Sequence, residues 1–581
     1  MLTSIRVRAM RIPSALSANL LSLVLLCPVW TVAQTGGSDA GASVRTDSSR
    51  AARSRYIVQA STAPGARASV VHAGGVVRQE LPIINAVAAD LSAAQAAEVG
   101  ATTGVKLFKD RSIAPEGKGP PTPPGPPLGP LAPLAPVVTS TQALVDGTGL
   151  NVLPNQYETN YPGLVGADIL QQYGVTGKGI TIAVLDTGLW SDASQNYKSR
   201  ILASIDVVNG GSNPVTGDPF GHGTHVTSIA AGGAVTKAGT SFGIAPNASL
   251  VIVRAFDQDG VGSYTDVIAG LNWIVANQKK YKIRVLNLSF GAPPQSNYWD
   301  DPLNQAVMAA WKAGIVVVAS AGNEGPGPMT IGVPGNVPYV ITAGALTDNF
   351  TPYDPTDDRL ASFSSTGPTY EGFVKPEVVA PGGHMVGSMW FNSYLANIDP
   401  GSMTPSESLF VMSGTSQAAA VTTGVVALML QTNGNLTPDM VKCRLIASAS
   451  PAVTPAGTLA YSVFQQGAGL INAVRAVLST TTGCANQGLN VAADLAGTQH
   501  FGGPANEDAN GNYYVMNMAG STWGGAVSND GYTWTQGYTW TQGYTWSQGY
   551  TWSNLLPWWG TPGGAATTAT PASIETWVPN E

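Results

Sequence analysis

The sequence predicts an α/β fold in layers, built around a mostly parallel central sheet. Four near-continuous apolar runs, ITIAVLD, SLVIVRAF, IRVLNLSF and GIVVVASA, are typical of parallel strands buried on both faces. The stretches TDVIAGLNWIVANQKK and DPLNQAVMAAWKAG, which follow the second and third runs, have helical periodicity. Strands that alternate with helices in this way form βαβ units, which indicate an α/β fold.

A further observation concerns the stretch from Met412 to Thr432, which carries no charge and is apolar nearly all round as a helix. Such a helix is predicted to lie in the core. It begins with Ser-Gly-Thr-Ser, so backbone N–H groups and the positive end of the helix dipole meet beside small hydroxylic side chains. This place suits a developing negative charge. The alternative is that Ser413 or Thr415 only caps a core helix.

Composition and charge limit the possible functions. The chain has 581 residues, of which 44% are hydrophobic and 11% charged, enough for a large core and more than one domain. Its formal net charge is -7, although seven arginines lie in the first 55 residues, and neither Lys nor Arg follows Arg475. The remainder is therefore more acidic than the total, which argues against nucleic acid as a partner.

The first residues have the pattern of an export signal. Residues 1–33 combine three arginines, the apolar run NLLSLVLLCPVW and the small-residue site before Gln34, which predicts a cleaved signal peptide and a secreted protein, extracellular or in the cell envelope. An uncleaved membrane anchor is the alternative, but Pro28 breaks a run already short for a membrane span. Cleavage would remove Cys27 and leave Cys443 and Cys484, a plausible disulfide pair in an exported chain.

Four separate motifs hold the candidate catalytic residues. VLDTG contains Asp186, HGTH contains His222 and His225, AGNEG contains Asn323, and SGTS contains Ser416. Asp, His and Ser in this chain order is one of the known arrangements of a nucleophilic triad. Together the motifs make the chain similar to the subtilisin-like serine proteases, the subtilase family, from about Gly174 to Ala476. The resemblance implies a three-layer fold and a serine endopeptidase acting on proteins.

The resemblance also implies a role for each residue. Ser416 attacks the peptide carbonyl, His222 takes the proton and returns it to the leaving amine, and Asp186 orients the imidazole. The Asn323 amide and the Ser416 N–H stabilise the oxyanion. No cofactor is required for this chemistry. A structural calcium ion is possible, but the loop from 232 to 243 lacks the paired asparagines of one calcium site in the family, so no metal ligand is named.

Each motif has an alternative interpretation. Asp-Thr-Gly at 186–188 also occurs in aspartic proteases, which need two such carboxylates, and the chain has no second DTG or DSG. His222 and His225 could ligate a metal, but neither HExxH nor a Cys/His cluster accompanies them, and a packed structural role is expected for His225. Asn323 could be a residue that tolerates left-handed backbone.

The resemblance places the substrate as an added strand, which gives affinity through backbone pairing. This strand lies against Ser289, Phe290 and Gly291 on one side and against the segment around Gly262 on the other. Gly322 walls the first pocket and Gly332 lies near its floor, so large apolar or aromatic side chains are expected there. A second apolar pocket further along involves Tyr264, Val267 and Phe290.

The remaining segments define the domain organisation. We predict an inhibitory prodomain at 55–114, a Pro-rich linker at 115–150, the catalytic domain at 151–480 and a C-terminal extension at 481–581. The prodomain prediction comes from a strand–helix–strand–strand–helix–strand pattern that resembles the family's prodomain, and it makes the chain a zymogen with its own inhibitor. An independent domain kept in the mature protein is the alternative. The linker is expected to be an extended spacer, although Pro-rich segments also bind aromatic grooves.

The extension contains four GYTWTQ-like repeats at 531–554. In an extended strand, Tyr532 and Trp534 share a face, so the repeats could line up an aromatic strip that contacts a cell surface or polysaccharide. The alternatives are a low-complexity segment or strands packed on the catalytic domain. A second hypothesis for the whole chain follows, namely a surface or polysaccharide-binding protein on a protease-like scaffold.

One departure from the family is Gln417, where Met is usual.

Overall fold

The computed structural model describes ten ranges of the chain: 52–115, 160–191, 197–211, 217–235, 241–351, 357–404, 408–455, 458–508, 511–515 and 538–539. The predicted signal peptide, nearly all of the linker and most of the aromatic repeats lie outside these residues. Among the helices that the structure describes, none combines the length and apolar character needed to cross a membrane.

An antiparallel sheet with two helices forms the N-terminal unit. Its strands and helices are β1 (Arg53–Gln59), α1 (Ala63–His72), β2 (Val76–Leu81), β3 (Ala86–Ser92), α2 (Ala93–Gly100) and β4 (Lys106–Lys109), with the sheet in the order β2-β3-β1-β4. Alternate residues point to opposite faces, because the side-chain period of a strand is two. Val58 packs with residues of α1 and α2 in a small cluster, whereas Ile57 belongs to the main core of the molecule. This is the order of elements expected for a small prodomain.

The central sheet of the catalytic region has eight strands, and its strand pairs are parallel except at β14. The strands are β6 (Thr181–Asp186), β7 (Ile201–Asp206), β8 (Ser249–Arg254), β10 (Ile283–Leu288), β12 (Val316–Ser320), β13 (Ile341–Thr347), β14 (Arg359–Leu360) and β15 (Val378–Pro381). They follow the order β14-β13-β12-β10-β6-β8-β7, and β15 also pairs with β13. The four apolar runs are β6, β8, β10 and β12, so the prediction of a mostly parallel sheet is confirmed.

Helices pack on this sheet in layers. The principal ones are α5 (His222–Ala231), α6 (Tyr264–Tyr281), α7 (Pro302–Lys312) and α9 (Thr415–Thr432). Helix α9 lies against β10, β12 and β13 and beside α5, while α6 packs beside α7 and contacts β6 and β10. Sixteen of the α9 residues are buried, from Thr415 to Leu430, as its uncharged sequence predicts.

The N-terminal unit docks on α6 and α7. The Gln59 side chain donates to Gln305 of α7 at 2.6 Å, and the Ile83 N–H donates to Asn272 of α6 at 3.1 Å. Its last strand, β5 (Ser112–Pro115), is not part of the small sheet. It pairs instead with the two short strands β9 (Gly262–Ser263) and β11 (Phe290–Gly291).

The other helices and strands lie outside the central sheet. They are α3 (Tyr161–Leu164), α4 (Ala167–Gln172), β16 (Met385–Ser388), α8 (Tyr394–Ile398), β17 (Leu409–Met412), α10 (Pro438–Ser448), α11 (Val463–Gln466), α12 (Ala473–Leu478), α13 (Val491–Leu495), β18 (Phe501–Gly502), β19 (Ala505–Glu507), β20 (Tyr513–Val515) and β21 (Tyr538–Thr539).

The first part of the predicted extension packs on the catalytic domain. Phe501 and Ala505 are fully buried, and buried Asp494 accepts hydrogen bonds from Tyr298 at 2.6 Å and Tyr339 at 3.0 Å. A disulfide joins Cys443 of α10 to Cys484, where the extension begins. These contacts favour a domain boundary later than residue 480.

Candidate active site

Asp186 is the last residue of β6, at the carboxyl edge of the sheet where active sites of α/β folds form. Its side chain is 1% exposed, and Oδ1 accepts a hydrogen bond from the Thr187 N–H at 2.7 Å. The Thr187 hydroxyl accepts from the Gly223 N–H at 2.8 Å. A Cβ at Gly223 would lie 2.4 Å from the Gly188 carbonyl oxygen, so only glycine permits this close approach between strand and helix.

His222 is the first residue of α5 and points at Asp186. Its Nδ1 lies 2.8 Å and 3.0 Å from the two carboxylate oxygens, and both side chains are buried. Because a carboxylate only accepts hydrogen bonds, Nδ1 carries the proton, and Nε2 is the nitrogen that can take one. Asp218 holds the start of the helix, since its carboxylate accepts from the Gly221 N–H at 2.8 Å and the Thr224 N–H at 2.7 Å.

His225 is a packed residue, one turn further along α5. Its Nε2 donates to the Phe410 carbonyl at 3.0 Å, and its Nδ1 lies 3.3 Å from the Gln417 side-chain nitrogen. Burial lowers the pKa of His225 to about 3, so the imidazole stays neutral. Among the described residues, no group of three or more His, Cys, Asp or Glu side chains is arranged to hold a metal ion.

Ser416 lies in the first turn of α9, the buried helix. Its Oγ lies 3.3 Å from the Ser289 carbonyl oxygen, and the Ser289 hydroxyl donates to the Ser416 carbonyl at 3.0 Å. The residue that precedes the helix is Gly414, which has no side chain to cap it, while the Ser413 hydroxyl accepts from the His384 N–H at 2.9 Å. Neither Ser413 nor Thr415 is therefore the N-cap of this helix.

Asn323 follows β12 and is fixed by Thr415. Its Oδ1 accepts from the Thr415 N–H at 2.9 Å and from the Thr415 hydroxyl at 3.0 Å. Two donors on one atom identify it as the amide oxygen, so the amide NH₂ points the other way, available to an acceptor. The backbone of Asn323 has a negative φ and needs no tolerance of left-handed geometry.

The two segments predicted to hold the substrate have a strand between them, and this strand is β5. Phe290 lies opposite Pro115 and Gly291 opposite Ala114, while Gly262 lies opposite Ile113. Ile113 is 2% exposed, and it belongs to the same hydrophobic cluster as the pocket residues Tyr264, Val267 and Phe290. The N-terminal unit thus fills the groove between β9 and β11 with its own backbone.

Asp110 and Arg111, which directly precede β5, attach the same segment to the start of α6. Asp110 Oδ1 accepts from the Thr265 N–H in the first turn of α6 at 3.1 Å. The Arg111 guanidinium lies over the Tyr264 ring at 4.7 Å and donates to the Pro293 carbonyl at 2.7 Å. The sequence analysis did not identify Asp110 or Arg111. The available signal was an acidic residue in a loop, because such residues often accept hydrogen bonds from the first N–H groups of a helix.

The walls of the first predicted pocket are glycines in close contact with backbone. The Gly322 N–H donates to the Thr415 hydroxyl at 3.1 Å. A Cβ at Gly332 would lie 3.3 Å from the Ala292 carbonyl oxygen, and Ala292 pairs with Val333 next to it. Gly332 thus lies beside the Ser289–Gly291 segment, and Gly322 directly precedes Asn323 in the sequence. That these glycines line a substrate pocket remains a prediction.

The buried His–Asp pair, the serine at the start of a central helix and the mostly parallel sheet are the features expected of a subtilisin-like serine hydrolase. The sequence profile of the subtilase family of peptidases matches residues 177–483, and the chain belongs to this family. Peptide hydrolysis in this family needs no cofactor.

Relatives and a solved structure agree with this assignment. The chain is 40% identical over 273 residues to serine protease AprX of Bacillus subtilis (strain 168), which covers 46% of this chain and 60% of AprX. It is 31% identical over 311 residues to subtilisin DY of Bacillus licheniformis, which covers 53% of this chain and 94% of subtilisin DY. The crystal structure of fervidolysin from Fervidobacterium pennivorans has the same fold, with a TM-score of 0.55 and 22% identity over 74% of this chain and 62% of that one.

Proposed function

We propose that the chain is a secreted serine endopeptidase that hydrolyses peptide bonds in proteins through Asp186, His222 and Ser416. The observation that carries the proposal is the buried contact between His222 Nδ1 and the Asp186 carboxylate at 2.8 Å. It fixes the tautomer in which Nε2 takes the Ser416 proton and later returns it to the leaving amine. The carboxylate also stabilises the imidazolium that forms.

The oxyanion is stabilised by two donors. The Asn323 amide is oriented by its two hydrogen bonds from Thr415, and the Ser416 N–H belongs to the first turn of an 18-residue helix. Donors fixed in advance need no reorganisation when the negative charge develops, and the helix dipole adds to them.

Labelling with a serine-directed fluorophosphonate tests the mechanism. Adduct mapping on the secreted protein should find the label at Ser416, and Ser416→Ala should abolish cleavage of an unfolded protein while leaving the thermal melting temperature unchanged. Ser413→Ala is a matched control three residues away and should still be labelled. An adduct elsewhere, or full activity of Ser416→Ala, would refute the mechanism.

The N-terminal unit is proposed as the inhibitory prodomain of a zymogen. Its strand β5 pairs with both β9 and β11, as a substrate strand would, and the chain runs from Ile113 through Pro115 toward Ser289, whose backbone contacts Ser416. Self-cleavage is then expected in the linker, soon after Pro115. N-terminal sequencing of wild-type and Ser416→Ala protein decides this: a shared mature N-terminus would mean that another protease cuts the linker.

The extension is proposed to contact a cell surface or polysaccharide through its aromatic repeats, with the protein exported by the segment at 1–33. One relative, from Thermus sp. (strain Rt41A), is named an extracellular serine proteinase. No nucleic-acid partner is proposed. Truncation after Val515 keeps the packed residues 484–507, and it should abolish retention on insoluble polysaccharide without changing turnover of a short peptide. Truncation after Gly483 is expected to destabilise the enzyme, because it removes the buried Phe501.

The alternative function is surface binding on a protease-like scaffold, with the extension as the active part. It predicts that Ser416→Ala and wild-type protein bind the surface equally and that neither hydrolyses peptides. Hydrolysis by wild-type protein separates the two hypotheses.

A further inference from the structure

The connection between β16 and β17 begins with ten residues that carry no charge. Its residues 389–398 read MWFNSYLANI and include helix α8, and we call them the α8 cap. The Met389 N–H donates to the Ser408 carbonyl at 2.9 Å, which closes the base of the cap, and Ser393 caps the helix by accepting from the Ala396 N–H at 3.3 Å.

The cap is attached to the two segments that lead to His222 and Ser416. Its Met389 and Leu395 form a hydrophobic cluster with Phe220, which lies two residues before His222, and with Met412, which ends the strand before Ser416. The Leu395 N–H also donates to the Phe220 carbonyl at 3.1 Å.

The approach is tight at the start of the His222 helix. Gly221 has a φ of 109°, and a Cβ there would lie within 2.9 Å of the Ser393 hydroxyl. The cap therefore has a fixed position against the two segments that lead to His222 and Ser416.

The direction of β5 indicates which part of a substrate lies near the cap. β5 is held by β9 and β11, and it runs toward Ser416, so the residues before a scissile bond occupy that groove. The residues after the bond must continue past Ser416, away from β11. The hydrogen bonds and the cluster of the cap lie on the segments before His222 and Ser416, and that cluster contains no residue of β9 or β11. We therefore assign the cap to the leaving-group side.

The cap presents apolar side chains to solvent. Phe391 is 59% exposed, Ile398 is 52% exposed and Tyr394 is 37% exposed, although Leu395 and Ala396 beneath them are buried. The Trp390 and Phe391 rings are 6.3 Å apart in an edge-to-face arrangement, and Tyr394 stacks on Phe220 at 5.5 Å. Aromatic side chains held in place lose little entropy when a ligand packs on them.

We propose that the α8 cap forms the subsites for the one or two substrate residues after the scissile bond, and that it selects apolar or aromatic side chains there. The proposal rests on the proposed peptidase function and adds a specificity on the leaving-group side. Its occupant is the substrate polypeptide itself, because β5 shows the course of an extended chain toward Ser416 and the cap is attached to the strand that leads to Ser416.

Two internally quenched peptides test the proposal. They share all residues before the scissile bond and have either Phe-Leu or Ser-Gly after it, and a peptidyl anilide with the same leading residues reports the catalytic steps alone. Wild-type mature enzyme should prefer the Phe-Leu peptide by roughly 10-fold in kcat/KM, the size expected for filling an apolar subsite. Phe391→Ser and Ile398→Ser should bring this preference to near unity.

The control variant is Tyr173→Ser, which removes an 82% exposed aromatic ring at the end of α4, and the preference should persist there. Melting temperatures show whether each variant is folded. No preference in the wild type, or an unchanged preference in Phe391→Ser, overturns the proposal. An effect of Phe391→Ser only on the conversion of precursor to mature enzyme also overturns it, because the cap would then bind the linker. A wild-type enzyme that fails to cleave the anilide refutes the peptidase function instead.

Discussion

Replacing Ile113 by alanine tests how the N-terminal unit inhibits. The side chain is 2% exposed between β9 and β11, within the cluster that contains Tyr264, Val267 and Phe290. The substitution removes three carbon atoms from this environment, which is worth about 2.4 kcal/mol at roughly 0.8 kcal/mol for each buried CH₂. A difference of this size corresponds to about a 50-fold weaker inhibition constant, since about 1.4 kcal/mol is tenfold.

The assay adds the isolated unit, residues 52–115, to mature enzyme and follows hydrolysis of a peptidyl anilide. The unit has its own hydrophobic cluster around Val58 and Val87, so folding of the variant can be checked by circular dichroism. Val71→Ala is the matched control, because Val71 is 60% exposed on α1 and should leave inhibition unchanged. Equal inhibition by Ile113→Ala and wild-type unit would show that β5 does not occupy the substrate groove in solution.

Three further predictions concern stability and the environment of Ser416. Burial raises the pKa of Glu371 from 4.5 to about 7, so between these pH values the folded state binds more protons than the unfolded state. The raised pKa therefore contributes about 3 kcal/mol to the free energy of unfolding below pH 4.5, and this contribution should be lost as the pH rises through 7. Urea unfolding from pH 4 to 8 in the Ser416→Ala background should show this slope, and Glu371→Gln should flatten it. The buried Gln417 side-chain nitrogen lies 3.3 Å from His225 Nδ1. Wild-type activity should survive dilute peroxide, whereas Gln417→Met should lose activity because a methionine sulfoxide adds polar bulk there. Equal sensitivity of the two proteins to peroxide would contradict this. Replacing Cys443 and Cys484 by serine should lower the free energy of unfolding by up to about 4 kcal/mol, the chain-entropy value for a sequence separation of 41 residues, unless thiol titration of the unreduced protein finds both sulfurs free.

Most of the fold and the identity of the candidate catalytic residues could be predicted from the sequence. The runs that became β6, β8, β10 and β12 are apolar on both faces, which is typical of parallel strands covered by helices on both sides. The stretch that became α9 has no charge, so it had to be buried. Asp186 and Asn323 follow strands of one parallel sheet, and the carboxyl ends of such strands meet at one edge.

Other features depend on contacts between distant segments, and only the tertiary structure decided them. The buried Lys375 and Lys442 both lie 2.8 Å from Glu377, although charged residues are predicted at the surface. The extension from residue 484 to 507 has a composition unlike the catalytic domain, yet its Asp494 is buried against Tyr298 and Tyr339.

The same holds for the segments that close the site. The tetrapeptide SIAP of β5 has no periodicity of its own, and each partner strand is only two residues long. The α8 cap is held in position by Phe220 and Met412. Phe220 is far from the cap in the sequence, and Met412 is the last residue of β17. A periodic pattern reports which face of a segment avoids water, because that depends on the segment alone. The segment that pairs with a strand edge or packs on an uncharged loop depends on which distant parts of the chain lie next to it after folding. This part of the site was therefore determined by the tertiary structure.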